Sequence, residues 1–109
     1  MATIDQFRQI DMRVGRVLEA ALLAGARKPA YHLTIDFGPL GLKRSSAQLT
    51  ALYRTESLVG RLVIAVVNFP ARRVAGFESE VLVLGVPDET GAVVLLQPKR
   101  DCPLGGRVF

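Results

Sequence analysis

The run Tyr31-His32-Leu33-Thr34-Ile35-Asp36-Phe37 alternates apolar and polar residues without a break. Strict alternation of this kind fits a strand with one face buried. Tyr31, Leu33, Ile35 and Phe37 make the expected core face; His32, Thr34 and Asp36 face outward. Such a strand needs partners of similar length, and residues 12–17, 61–67, 80–86 and 91–96 supply apolar or alternating runs. Residues 42–49 are too polar for a core strand and read as a strand in an outward-facing sheet. Met12-Arg13-Val14-Gly15-Arg16-Val17 alternates and then slips by one residue at Gly15. That slip predicts a β-bulge there, a device that bends a strand and helps a small sheet close. Gly38-Pro39-Leu40-Gly41 and Pro87-Asp88-Glu89-Thr90-Gly91 are turns. Residues 50–58 read as a short helix or helical turn ended by Gly60, with the Tyr53 ring packed and its hydroxyl in water. The expectation is an all-β domain over residues 1–109: a small OB-fold, a five-stranded Greek-key barrel with a helical turn between strands 3 and 4.

The two ends of the chain stand apart from this pattern. Thr3-Ile4-Asp5-Gln6 has the form of a capping box, and Ile4, Phe7 and Ile10 recur every third residue. Residues 3–10 are therefore expected to form a short amphipathic helix. Two or three turns are marginal in water unless the apolar face docks, on this domain's core or on a second copy. The tail, residues 99–109, is turn-rich and ends in apolar Leu104, Val108 and Phe109.

Charge narrows the function. Fourteen Lys and Arg against ten Asp and Glu give +4, a balance that permits an anionic partner without requiring one. Arg27-Lys28, Lys43-Arg44 and Arg72-Arg73 form basic pairs beside strand ends or turns. Catalytic constellations are missing: no Cys/His cluster for a metal, no Gly-rich phosphate loop, no Gly-x-Ser-x-Gly. The expectation is a binding protein with no catalytic residues, no cofactor and no metal. Cys102 is the single cysteine. The longest apolar run, residues 62–67, falls far short of the roughly 20 residues of a membrane span, so membrane insertion is not expected. The first residues lack the pattern of a secretory signal, and the expected compartment is the cytoplasm.

The binding candidates cluster in two places. An apolar strand ends at Asn68, the single Asn of the chain, followed by Phe69-Pro70 and the pair Arg72-Arg73. Asn can donate and accept, Arg offers a planar fork for phosphate, and Phe69-Pro70 would stiffen the turn. A polar hairpin with Asn68 capping the strand end is the alternative. On the strand over residues 42–49, Arg44, Ser46 and Gln48 share one face, with Lys43 beside them on the other. Such a face suits a nucleic acid backbone and base edges, or is simply a solvated outer surface. Ser79 is a further candidate, against a turn Ser bonding its own backbone. His32, the single His, reads as a surface residue.

Several segments resemble the tRNA-binding OB domain family: Asp11-Met12-Arg13-Val14-Gly15-Arg16-Val17, Ile35-Asp36-Phe37-Gly38, Leu58-Val59-Gly60-Arg61, and Val66-Val67-Asn68-Phe69 with Arg72-Arg73, Gly76 and Ser79. Val93-Val94-Leu95-Leu96-Gln97-Pro98 and Gly106-Arg107-Val108 extend the likeness over nearly the whole chain. Lys43-Arg44-Ser45-Ser46-Ala47-Gln48 and Ser79-Glu80-Val81-Leu82-Val83-Leu84 are similar to the CsaA branch, small homodimers described as chaperones linked to protein export. Where synthetase-type domains carry His-Pro-x-Ala-Asp-x-Leu-Tyr, this chain has Arg27-Lys28-Pro29-Ala30-Tyr31-His32-Leu33. The resemblance implies tRNA as partner, through a face carrying Lys43, Arg44, Ser46, Gln48, Asn68, Arg72, Arg73 and Ser79. It implies a homodimer built by the N-terminal helix and the tail, through Ile4, Phe7, Ile10, Leu104, Val108 and Phe109. It also implies a rival activity, capture of unfolded or preprotein segments in apolar grooves near the dimer seam.

Overall fold

The computed structural model describes residues 1–109. In chain order it contains α1 (Ile4–Arg8), β1 (Met12–Leu22), β2 (Tyr31–Asp36), β3 (Leu42–Ala47), α2 (Thr55–Leu58), β4 (Leu62–Val66), β5 (Arg72–Val74), β6 (Phe77–Ser79), β7 (Leu82–Val83), β8 (Gly85–Pro87) and β9 (Val93–Leu95). The capping box forms as the sequence implies. Thr3 Oγ1 accepts the Gln6 N–H at 3.2 Å, and Gln6 Oε1 accepts the Thr3 N–H at 2.8 Å. The helix is a single short turn or so, ending at Arg8 rather than Ile10.

β1, β2 and β3 form an antiparallel meander. The chain then crosses through α2, anchored by fully buried Leu58, and β4 pairs with the opposite edge of β1. The resulting five-stranded sheet runs β3-β2-β1-β4-β7. β1 serves both neighbours with different halves: Met12 to Arg16 pair with β4, and Arg16 to Leu22 pair with β2. The tail lies along the first half of β1, where Gly105 N–H donates to the Val14 carbonyl at 2.8 Å and Val108 N–H to that of Met12 at 2.9 Å. Closure comes at the free edge of β3. Glu80 N–H donates to the Arg44 carbonyl at 2.8 Å, and Ser46 N–H donates to Ser79 Oγ at 2.9 Å. These bonds tie β3 to the chain leading into β7, which pairs with β4. The sheet is a nearly closed OB-type barrel.

The interior is the expected face of β2, with Leu33, Ile35 and Phe37 fully buried and Tyr31 nearly so, packed with Val17, Leu58, Val63, Ala65, Val81 and Leu95. Four expectations need correction. The bulge lies at Leu18, between Val17 and Glu19, while Gly15 pairs regularly with Val63. Gly15 is required for another reason: a Cβ there would sit 2.5 Å from Ile35 Cγ2 and 2.7 Å from Phe37 Cε1. Ser45 belongs to the core at 0% exposure, because its hydroxyl donates to the Val81 carbonyl at 3.0 Å. The Tyr53 hydroxyl, expected to have only water for a partner, accepts the Leu95 N–H at 3.0 Å. Residues 80–86 divide into β7 and β8, the latter joining β9 in a separate hairpin.

Candidate nucleic-acid interface

The Asn68–Arg73 region leads into a tight hairpin. Ala75 and Gly76 both adopt positive φ, 50° and 78°, the backbone of a two-residue turn whose twist matches its strands. The cross-strand pairs are Arg72 with Ser79, Arg73 with Glu78 and Val74 with Phe77. Arg72, Val74, Phe77 and Ser79 therefore share one face of the hairpin, and Arg73 and Glu78 the other. Phe77 is buried under two side chains of the β2–β3 outer face. The Arg44 guanidinium carbon stands 4.2 Å from its ring centroid, and the His32 ring centroid 5.3 Å away. A stacked cation of this kind gains about 0.5–1 kcal/mol and holds a fixed position.

A groove of about 650 Å³ opens between this hairpin, the end of β3 and the loop before β2. Arg27, Lys28, Ser46, Gln48, Arg72 and Ser79 stand along it, over an apolar floor of Phe69, Pro70, Val74, Leu82, Val83 and Val93. The ion pairs of the molecule engage Arg8, Arg13, Arg54 and Arg107. The groove cations thus have no carboxylate partner and stay available to an external anion. Glu80, the acid in the lining, uses Oε1 to accept the Arg44 N–H at 3.0 Å.

The structure divides the residues expected to share one face. Ser46, Gln48, Arg72 and Ser79 come together in the groove. Arg44 lies on the same face of β3 as Ser46 but outside the groove, against Phe77. Lys43 alternates to the face of Ser45, and Arg73 points off the far side of its hairpin, since neighbours in a strand face opposite ways. Asn68 ties the end of β4 to the end of α1: its Oδ1 accepts the Asp11 N–H at 2.9 Å and its Nδ2 donates to the Gln9 carbonyl at 2.8 Å. Ser79 Oγ accepts the Ser46 N–H and so forms part of the barrel seam. Arg27 and Lys28 were visible as a basic pair, but nothing in their spacing linked them to residues 46–48 and 72. Phe77 gave no signal, because its contacts with Arg44 and His32 are long-range. Of the terminal residues, Ile4, Phe7, Ile10, Val108 and Phe109 line one apolar cavity of about 490 Å³. Leu104 lies elsewhere, against Gly38.

Comparison with known proteins decides the family. Residues 12–107 match the model of a putative tRNA binding domain. The chain belongs to that family. It is 52% identical to the chaperone CsaA from Bacillus anthracis str. Ames, with a TM-score of 0.94 over 100% of this chain and 99% of that one. A CsaA chaperone protein from Picrophilus torridus is 45% identical, with a TM-score of 0.93 and full coverage of both chains. The methionine–tRNA ligase of Methanothrix thermoacetophila is 38% identical over 93% of this chain. The match spans only 14% of that ligase, so it concerns the tRNA-binding portion and not the catalytic one. The family and its CsaA-type branch agree with the resemblance carried by the sequence motifs.

Proposed function

We propose that this chain is a non-catalytic, homodimeric tRNA-binding protein of CsaA type whose groove receives the sugar–phosphate backbone. One observation carries the reading: the pair Arg27-Lys28 and the distant Arg72 line one groove, none of them in an ion pair, against Glu80 as the single carboxylate of the lining. In this reading the three cations displace counterions from phosphates, and the Ser46 hydroxyl and Gln48 amide set register by hydrogen bonding. Asn68 and Ser79 hold the frame, while Lys43, Arg44 and Arg73 add to the field around it. The membership of the family and the 52% identity to a CsaA chaperone support both tRNA as partner and the branch.

The apolar floor favours a second activity at the same place, capture of an unfolded or preprotein segment. Phe69, Pro70, Leu82 and Val93 can accept apolar side chains as readily as base faces. Ionic strength separates the two. Each phosphate contact steepens the fall of log K with log salt by about 0.9 for a duplex, whereas apolar capture holds or strengthens with salt. A tRNA gel shift across ionic strength should give a steep slope for the wild type. The triple variant Arg27→Ala, Lys28→Ala, Arg72→Ala should lose about 3 from that slope. An unchanged slope in the variant removes the groove from the tRNA site.

A further inference from the structure

β4 has the groove at one end and a second concavity at the other. Its Val66 end pairs with Leu82 of the groove floor, while Leu62 at its start lines a basin of about 340 Å³. Four steps of roughly 3.3 Å between Leu62 and Val66 set the two ends about 13 Å apart. The basin is bounded by Arg16, Arg61, Lys99 and Arg100, against Asp101 as the single carboxylate, and none of these five takes part in an ion pair.

Two of the cations are held in place by neutral groups. The Arg61 guanidinium lies 5.1 Å from the Tyr53 ring centroid, its Nη1 donates to Gln97 Oε1 at 3.0 Å, and its Nε to the Ser57 carbonyl at 3.4 Å. Arg16 Nη1 donates to the Gly60 carbonyl at 2.7 Å. These contacts fix the guanidinium groups without cancelling their charge. Lys99 and Arg100 are exposed and complete the ring. Unlike the groove, this concavity has almost no apolar lining, so it suits a hydrophilic anion and not an apolar side chain. Planar guanidinium forks with a flanking ammonium match phosphate oxygens.

We propose that this basin is a second phosphate-binding subsite, taking a separate stretch of the sugar–phosphate backbone of the RNA held in the groove. The proposal rests on the tRNA reading of the groove. A polyanion with a charge on every unit can meet both sites, whereas one apolar peptide segment has no reason to enter the basin. The test is the double variant Lys99→Ala, Arg100→Ala, whose side chains make no hydrogen bond in the fold. In tRNA gel shifts across ionic strength its slope should fall by about 2 relative to wild type. A parallel titration of the wild type with tripolyphosphate should shift the Nε–H resonances of Arg16 and Arg61. Wild-type binding with an unchanged slope in the double variant overturns the basin and leaves the groove standing. No tRNA binding by the wild type overturns both. Retention of polyglutamate that the double variant loses, at unchanged tRNA slope, gives the basin to acidic protein segments and overturns the proposal.

Discussion

Gly15 lies on β1 opposite Val63 of β4, and the side chains of Ile35 and Phe37 occupy the space a Cβ would need. Both neighbours are fully buried and have little room to retreat, and forcing atoms into a packed interior costs about 1–3 kcal/mol. Gly15→Ala is therefore expected to lower the urea midpoint by that much stability with little change in m-value. A variant as stable as wild type would mean that the Ile35 and Phe37 side chains have room to move aside. The same residue marks the limit of reading by pattern. The slip of alternation at Gly15 was visible, but a glycine needed for close approach and a glycine at a bulge leave the same trace. Ser45 is a similar case. A serine in a polar run looks solvated until Val81, far along the chain, is known to accept its hydroxyl.

At the scale of elements, one carboxylate gathers the turn of the β8–β9 hairpin. Asp88 Oδ1 accepts the Thr90 hydroxyl at 2.7 Å, the Thr90 N–H at 2.8 Å and the Ala92 N–H at 3.0 Å. The Thr90 side chain foremost, then the backbone N–H groups, hold the Asp88 carboxyl below its ordinary value. A depressed folded-state value means the ionised form favours the fold. The contribution is complete above the ordinary Asp range and is lost as pH falls through the lowered value. Asp88→Asn keeps the acceptor and removes the charge. Its Tm should lie below wild type at neutral pH, and the gap should close in acid; a gap constant with pH would deny the charge any role. This turn was legible from Pro87-Asp88-Glu89-Thr90-Gly91, as were the capping box at Thr3 and the inner face of β2, because each is written in adjacent residues. The seating of the β5–β6 hairpin on the β2–β3 face and the tail strand beside Val14 were not. Those contacts are supplied by tertiary closure, and Ala75 at positive φ runs against local preference.

At the scale of the molecule, α1 and the tail converge without burying what they carry. Ile4 is 62% exposed and Phe109 fully so, at the rim of the cavity they share with Phe7, Ile10 and Val108. Arg107 Nη2 donates to the Arg8 carbonyl at 2.7 Å, and its Nε lies 3.5 Å from Asp11 Oδ1, so the two termini hold one another in position. A second copy related by a two-fold axis would cover this face with the same face, the arrangement that makes apolar termini self-complementary. The double variant Ile4→Glu, Phe109→Glu alters only exposed positions; under the proposed homodimer the wild type should sediment as a dimer and the variant as a folded monomer. Its affinity for tRNA then carries further information. Two grooves acting on one tRNA raise apparent affinity by about 100-fold or more over a single groove, so the monomer should lose at least that factor. A monomer that binds as tightly as the dimer would show that each groove works alone, and the pairing of two copies would then need a cause other than tRNA.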